Sequence, residues 1–345
     1  MSKEQTTVNK GPEFVKAIVY TQYGTPDVLS LQEIETPTPT DAQVLVQVHA
    51  TSLNQADWHL LTADVFPTRL MGGFLKPKQH ILGADIAGRV QAIGAHVKQF
   101  QVGDAVFGDI SGHRFGGLAE YVAVPENLLA LKPKNISFEQ AAAIPMAGVT
   151  ALQGLRDHGH IQAGQNVLIY GASGGVGTFA VQIAKLFGAH VTAVCSTRNV
   201  EQARTLGADR VLDYTTQDFA QSGDQYDLIL AANGYRPLAA YQNALKPNGT
   251  FVLSGGALKQ IFQVMLLGPS LSRGGKTLKN LIAQPSQTDL QFLAAQMEAG
   301  KLSPVTDRRY PLRETAEAFR YLGQGHARGK VIVTMQDTAE RISNG

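Results

Sequence analysis

The segment NVLIYGASGGVGTFAVQIAKLFGA constrains this chain more than any other. Residues 167–170 read as an apolar strand and residues 171–177 as a glycine-rich turn, while Val176, Ala180, Ile183, Ala184 and Phe187 recur at the spacing of one helix face. A strand that turns directly into a helix leaves the first helical N–H groups unpaired, and those groups, with the helix dipole, stabilise a pyrophosphate. Glycines permit the tight turn and the close approach of backbone to phosphate. Ser173, Gly174, Gly175, Val176 and Gly177 are the expected dinucleotide contacts, with Ala172 in the first glycine position of the strict G-x-G-x-x-G pattern.

The turn opens a regular alternation. NVLIYG, HVTAVC, RVLDY, YDLILAA and TFVLSG are apolar strands separated by helical stretches, the pattern of a parallel, doubly wound α/β sheet covered on both faces. Asn233, Ser254 and Gly255 follow the last two of these strands and are expected at the cofactor. From residue 15 to about 124 the pattern is instead short and β-rich (VKAIVY, AQVLVQVHA, AGRVQAI, AVFGDI, AEYVAV), which reads as a compact, barrel-like β domain. A strand, a helix and a final strand, KVIVTM, follow residue 301 and are expected to return to that first domain. At 345 residues two domains are expected, divided as 15–137, 138–300 and a returning segment 301–345.

The second strand, HVTAVC, should end beside the adenosine ribose, where NAD-binding proteins place a carboxylate. Here Cys195, Ser196, Thr197 and Arg198 follow, and no acid appears before Glu201. Two hydroxyls and a guanidinium suit a 2′-phosphate, so NADPH is the expected cofactor; the competing reading makes Arg198 a solvated helix-start residue. Tyr214, at the end of VLDY, is a further candidate near that phosphate.

Composition removes other classes. Thirty basic against 28 acidic residues, with no dense Lys/Arg run, argue against a nucleic-acid partner. No stretch approaches the roughly 20 apolar residues of a membrane span. A single cysteine, Cys195, excludes an internal disulfide and any zinc site needing two thiolates, and fits a reducing compartment, with the cytoplasm as the simplest expectation.

Between residues 15 and 335 the sequence resembles the medium-chain dehydrogenase/reductases, specifically their zinc-free quinone oxidoreductase (zeta-crystallin-like) and alkenal reductase branch. The resemblance is carried by KAIVYTQYGTPDVLSLQEIETP, TSLNQADWHLLTA, LGADIAGRVQAIGAHVKQFQVGDAVFG, AAAIPMAGVTALQGL, GASGGVG and HARGKVIV. It implies a GroES-like catalytic domain, an inserted Rossmann domain and a cofactor in the cleft between them. Where zinc alcohol dehydrogenases of the superfamily carry a ligand cysteine this chain has Asn54, and where they carry His-Glu it has Ala84 and Asp85. Asp57 and Asp85 alone make a poor zinc site, so no metal is expected.

Without a metal, oxidation of simple alcohols is hard, whereas an electrophilic quinone or α,β-unsaturated carbonyl needs only a positioned hydride and a few hydrogen-bond donors. The resemblance makes Asn54 the candidate donor at the nicotinamide ribose, with Trp58 and His59 shaping the acceptor pocket. It places Thr150 at the nicotinamide carboxamide and returns Arg328, Gly329 and Lys330 to the cleft, although Lys330 equally reads as a strand-flanking charge. It also implies a homodimer in which the strand holding residues 251–254 continues a sheet across a two-fold axis. The insert 257–276 is expected either as a lid or against a second subunit. The competing functions are a non-catalytic NADPH-binding sensor or structural protein, and an enoyl-thioester reductase. The latter needs a basic cleft mouth, of which Arg69, Lys76 and Lys78 are a thin version.

Overall fold

The computed structural model describes residues 12–65, 69, 72–256, 258–272 and 274–335. Part of the N-terminal tail, Ala257 and Arg273 of the insert and the last ten residues lie outside them. In chain order the strands are β1 (Phe14–Val19), β2 (Ser30–Glu35), β3 (Gln43–Leu53), β4 (Asp85–Ile93), β5 (Ala105–Asp109), β6 (Tyr121–Pro125) and β7 (Leu129–Leu131), then β8 (Asn166–Tyr170), β9 (His190–Cys195), β10 (Arg210–Asp213), β11 (Tyr226–Ala231), β12 (Leu245–Leu253) and β13 (Thr277–Asn280), and finally β14 (Thr306–Pro311) and β15 (Lys330–Thr334).

Strands β8 to β13 form one sheet in the order β10-β9-β8-β11-β12-β13, every neighbour parallel. This is the doubly wound Rossmann order. Leu168, Ile169, Val191, Ala193, Leu228, Ile229 and Leu230 are fully buried, as a sheet covered on both faces requires. The helix Gly175–Leu186 crosses from β8 to β9 and buries Phe179, Ala180, Val181, Ile183 and Ala184 against it.

The second large sheet runs β14-β15-β3-β4-β5-β7, with β6 also paired to β3. β15 lies antiparallel to β3, Val331 opposite Leu53 and Val333 opposite Thr51, so the C-terminal segment completes the sheet begun by the first 130 residues. Ser137 starts the helix Phe138–Ala142 with a reciprocal capping box to Gln140, and Pro145 occupies the first turn of the helix Pro145–Gln153. These two helices join the sheets: one apolar cluster contains Ala50, Ala87 and Phe107 from this sheet and Val167, Ile169 and Val191 from the parallel one. The two units are therefore fixed by a shared core.

One expectation is overturned. The strand holding residues 251–254 does not lie at a sheet edge, because β13 pairs with its outer side, Phe251 opposite Leu278 and Leu253 opposite Asn280. The helix Leu258–Leu271 of the insert crosses β13 and buries Val264 while leaving Phe262, Met265 and Leu266 exposed. No helix of the described residues is long and apolar enough to cross a membrane.

Candidate active site

Strand order reverses between β8 and β11, and the crevice at such a point is where open α/β sheets take ligands. The chain leaves β8 through Gly171, whose φ of 81° favours glycine. A Cβ there would stand 2.9 Å from the backbone N and O of Asn233, which follows β11. At Gly177 a Cβ would lie 2.1 Å from the Gly171 carbonyl oxygen, so only glycine lets the helix press against the turn. Gly174 is the N-cap of that helix and no side chain caps it, which leaves the first N–H groups to a ligand.

A cavity of about 300 Å³ opens over this turn. It gathers six of the expected cofactor residues, Ser173, Gly174, Ser196, Arg198, Tyr214 and Asn233. Its described lining contains no acidic side chain. Arg198 donates to the His326 carbonyl at 2.9 Å, and Arg328 returns a bond to the Arg198 carbonyl at 3.1 Å, tying the end of β9 to the C-terminal segment. Asn199 and His326 line the cavity as well and were not singled out in the sequence. Asn199 donates to the hydroxyls of Ser173 (3.0 Å) and Ser196 (3.1 Å), which fixes both at the rim. His326 lies inside the HARGKVIV motif, which was a usable signal; Asn199 had none. Burial and the Asp213 charge push the Cys195 thiol up to about 11, so this cavity-lining cysteine is no nucleophile.

Other expected contacts sit elsewhere. Thr197 turns from the cavity, and its hydroxyl pairs with Thr215 at 3.0 Å beside the Asp213 carboxylate. Val176 packs against the shared core. Ser254 and Gly255 follow β12; the Ser254 N–H donates to the Ala231 carbonyl at 3.0 Å, and a Cβ at Gly255 would meet the Ala232 oxygen at 2.7 Å. Thr150 is buried on the helix Pro145–Gln153. Trp58 is half-buried, with its ring packed on Gly323, where a Cβ would come within 2.3 Å, and against the core beneath the helix Thr315–Gly323. His59 pairs on the surface with Asp64 at 2.8 Å.

Beneath the cleft lies a buried charge cluster. Asn54 ends β3 as the N-cap of the helix Gln55–Thr62, whose first turn carries Asp57. The Asn54 amide donates to Asp85 at 2.9 Å and to the Ser52 carbonyl at 3.4 Å, and its oxygen accepts from the Lys330 ammonium. Both N–H groups expected to meet a substrate carbonyl are thus engaged, because a buried carboxylate is the stronger acceptor. Lys330, 3% exposed, is neither a strand-flanking surface charge nor part of the cavity lining, and it pairs with Asp85 at 3.2 Å. Asp85 also accepts from the Ser52 hydroxyl at 2.6 Å and the Met146 N–H at 2.8 Å. Burial pushes Asp57 up to about 6, although the N–H groups of Asn54 and Gly83 hold it down. Burial and then the Asp85 charge push Asp109 up to about 7. This donor set does not fit zinc: it offers an amide and carboxylates that already hold N–H, O–H and ammonium donors, and no imidazole or thiolate.

A chain with two large sheets, a glycine turn at the switch point and a returning C-terminal strand defines a dinucleotide-dependent oxidoreductase. The Alcohol dehydrogenase GroES-like domain family matches residues 40–134, and the Zinc-binding dehydrogenase family matches residues 206–333. The chain is 35% identical to the Chloroplast envelope quinone oxidoreductase homolog of Arabidopsis thaliana over 93% of its own length and 98% of the relative's. It is 37% identical to the chloroplastic NADPH-dependent alkenal/one oxidoreductase of the same plant, over 93% and 80%. Its structure matches the quinone oxidoreductase from Coxiella burnetii with a TM-score of 0.85 at 30% identity, covering 94% of this chain and 100% of that one. CurK enoyl reductase matches at 0.82 and 29%, covering 94% and 100%. The chain belongs to the zinc-free quinone oxidoreductase and alkenal reductase branch of the medium-chain dehydrogenase/reductases.

Proposed function

We propose that this protein is an NADPH-dependent reductase of quinones or α,β-unsaturated carbonyls. The observation that carries the cofactor choice is the cavity at the strand-order reversal, lined by Ser196 and Arg198 with no described acidic side chain. A 2′-phosphate needs a fork-shaped cation and hydroxyl donors, and a carboxylate there would repel it. The acceptor class rests on the names of the two Arabidopsis relatives and on a donor set unsuited to zinc.

When bound, NADPH would supply a hydride to the β-carbon of an enone or to a quinone. The chain contributes binding and orientation. Gly174 to Gly177 and the helix start would hold the pyrophosphate, Ser196 and Arg198 would hold the 2′-phosphate, and the helix carrying Thr150 would border the nicotinamide end. Each turnover consumes one hydride and one proton; the proton comes from water and ends on the hydroquinone oxygen or, for an enone, on the α-carbon, while the Asn54 amide stays hydrogen-bonded to Asp85. None of Arg69, Lys76 and Lys78, the bases expected to receive a carrier phosphate, lines the cavity, so that observation gives the enoyl-thioester alternative no support.

The test is NADPH consumption across a panel of quinones, enones and enoyl thioesters. Turnover with a quinone or enone supports the reading. Cofactor binding without turnover indicates a non-catalytic protein, and turnover confined to thioesters indicates the enoyl reductase.

We further infer a homodimer built along β13. The outer side of β13 pairs with no strand among the described residues, and Phe262, Met265, Leu266 and Ile282 lie exposed on the flanking segments. Sedimentation equilibrium at micromolar concentration should return twice the chain mass; a single-chain mass overturns this. The single, buried Cys195 supports a reducing compartment, and we place the protein in the cytoplasm on that ground.

A further inference from the structure

We infer that Lys330 is a positioning residue that assembles the cofactor cleft from its two halves, acting through Asp85 and Asn54. The inference rests on the NADPH-dependent reading for its effect on turnover, and on geometry alone for its effect on structure. Lys330 begins β15, its N–H donating to the Val305 carbonyl at 2.8 Å. The preceding Gly329 has a φ of 122°, and a Cβ there would meet the Val305 oxygen at 2.4 Å. From that point the aliphatic stem runs across Gly175, where a Cβ would stand 2.9 Å from Lys330 Cδ. Gly175 therefore does more than open the turn to a pyrophosphate: it lets this side chain pass. Beyond it the ammonium enters the first domain and meets Asn54 and Asp85.

The bonds that follow reach each element bordering the cleft. Asp85, on β4, accepts the Met146 N–H in the first turn of the helix that carries Thr150. Its other oxygen accepts from Ser52 on β3 and from Asn54, the N-cap of the helix Gln55–Thr62. An amide held between an ammonium and a carboxylate has one orientation, with its oxygen to the cation. A single buried cation thus fixes the start of the dinucleotide-turn helix against the start of the Thr150 helix. The other charged groups packed around Asp85 are Asp57 and Asp109, both carboxyls that burial disfavours as anions. Lys330 is the cation paired with Asp85, and without it the cluster keeps only acids.

Lys330→Met keeps the stem and deletes the charge; Lys330→Met with Asp85→Asn deletes both charges while keeping an acceptor for Met146. Three quantities are measured on the full chain against wild type: NADPH affinity by fluorescence titration, kcat and KM for an accepted quinone or enone, and Tm between about pH 6 and pH 9. The single variant should lose at least about tenfold in kcat with little change in acceptor KM, and its Tm deficit should widen as pH rises, since an unpaired buried carboxylate is tolerated only when protonated. The double variant should recover Tm and lose the extra pH dependence while kcat stays low, because no ammonium then holds the Asn54 oxygen and ties the start of β15 to β4. If the single variant does not fold, recovery in the double variant supports the inference equally. Wild-type kcat and NADPH affinity in the single variant, or a Tm deficit independent of pH and unrepaired by Asp85→Asn, overturns it. Absence of turnover in the wild type refutes the functional reading alone, and the affinity and Tm measurements still decide on Lys330.

Discussion

Asp109→Asn should make this protein more stable at neutral and alkaline pH. Asp109 ends β5 directly across from Asp85 in the antiparallel register and is 4% exposed. Burial and the Asp85 charge raise its carboxyl from 3.8 to about 7. In the unfolded chain the group ionises near 3.8, so between about pH 4 and pH 7 the native state holds a proton that the unfolded state has released. Stability therefore falls across that interval and is level above it. Three pH units at about 1.4 kcal/mol each set a ceiling of about 4 kcal/mol. Solvent relaxation around the ionised group reduces this, and we expect about 2 kcal/mol to separate variant from wild type at pH 8, shrinking towards pH 5. Asparagine keeps the oxygen that accepts the Ser111 N–H at 2.9 Å, so no buried donor is orphaned. Calorimetric unfolding at several pH values is the assay, and a Tm advantage of about 3 °C near pH 8 is the expected reading. Asp57, raised to about 6 by burial, leaves a second fall in both proteins. Parallel Tm curves, or a variant less stable at pH 8, would refute the reasoning.

Arg198→Ala should weaken NADPH binding by about 10- to 100-fold, the worth of a charge-assisted phosphate contact, and leave NADH binding unchanged. Equal wild-type affinity for both cofactors, unaffected by the substitution, would refute the 2′-phosphate assignment. Trp58→Phe should cost about 1–2 kcal/mol of stability through lost packing on Gly323 and keep kcat/KM within about twofold. A large loss of kcat at unchanged Tm would return Trp58 to the chemistry.

Much of the fold was legible because its signals are local. The glycine turn, the strand before it and the apolar stripe after it lie within 24 consecutive residues, and each obeys a short-range rule. The absent carboxylate after β9 is equally local, and it anticipated the acid-free lining of the cavity. β13 was not legible: Thr277–Asn280 is four residues long, with only Leu278 buried, too short for a period to show. Missing it put the expected sheet edge at β12 instead of β13. The packing of Trp58 was not legible either: in the sequence it sits four residues from Asn54, whereas its ring lies on Gly323, more than 260 residues on.

The buried cluster escaped sequence reading for a deeper reason. A lysine at the start of a strand is ordinarily solvated, and so is an aspartate at the start of one, so each has a sufficient local explanation. Their meaning appears only when the chain brings them together across 245 residues, in an interior where neither charge is tolerable alone. That pairing also separates the two electrostatic demands of the cleft. The cavity that receives a polyanionic cofactor shows no described acid in its lining, while the three carboxylates beneath it are buried, one paired with Lys330 and two pushed towards the neutral form. Were those carboxylates uncompensated, their field would oppose the phosphates binding above them; with Lys330 among them, the same acids cap helices and hold the cleft in shape.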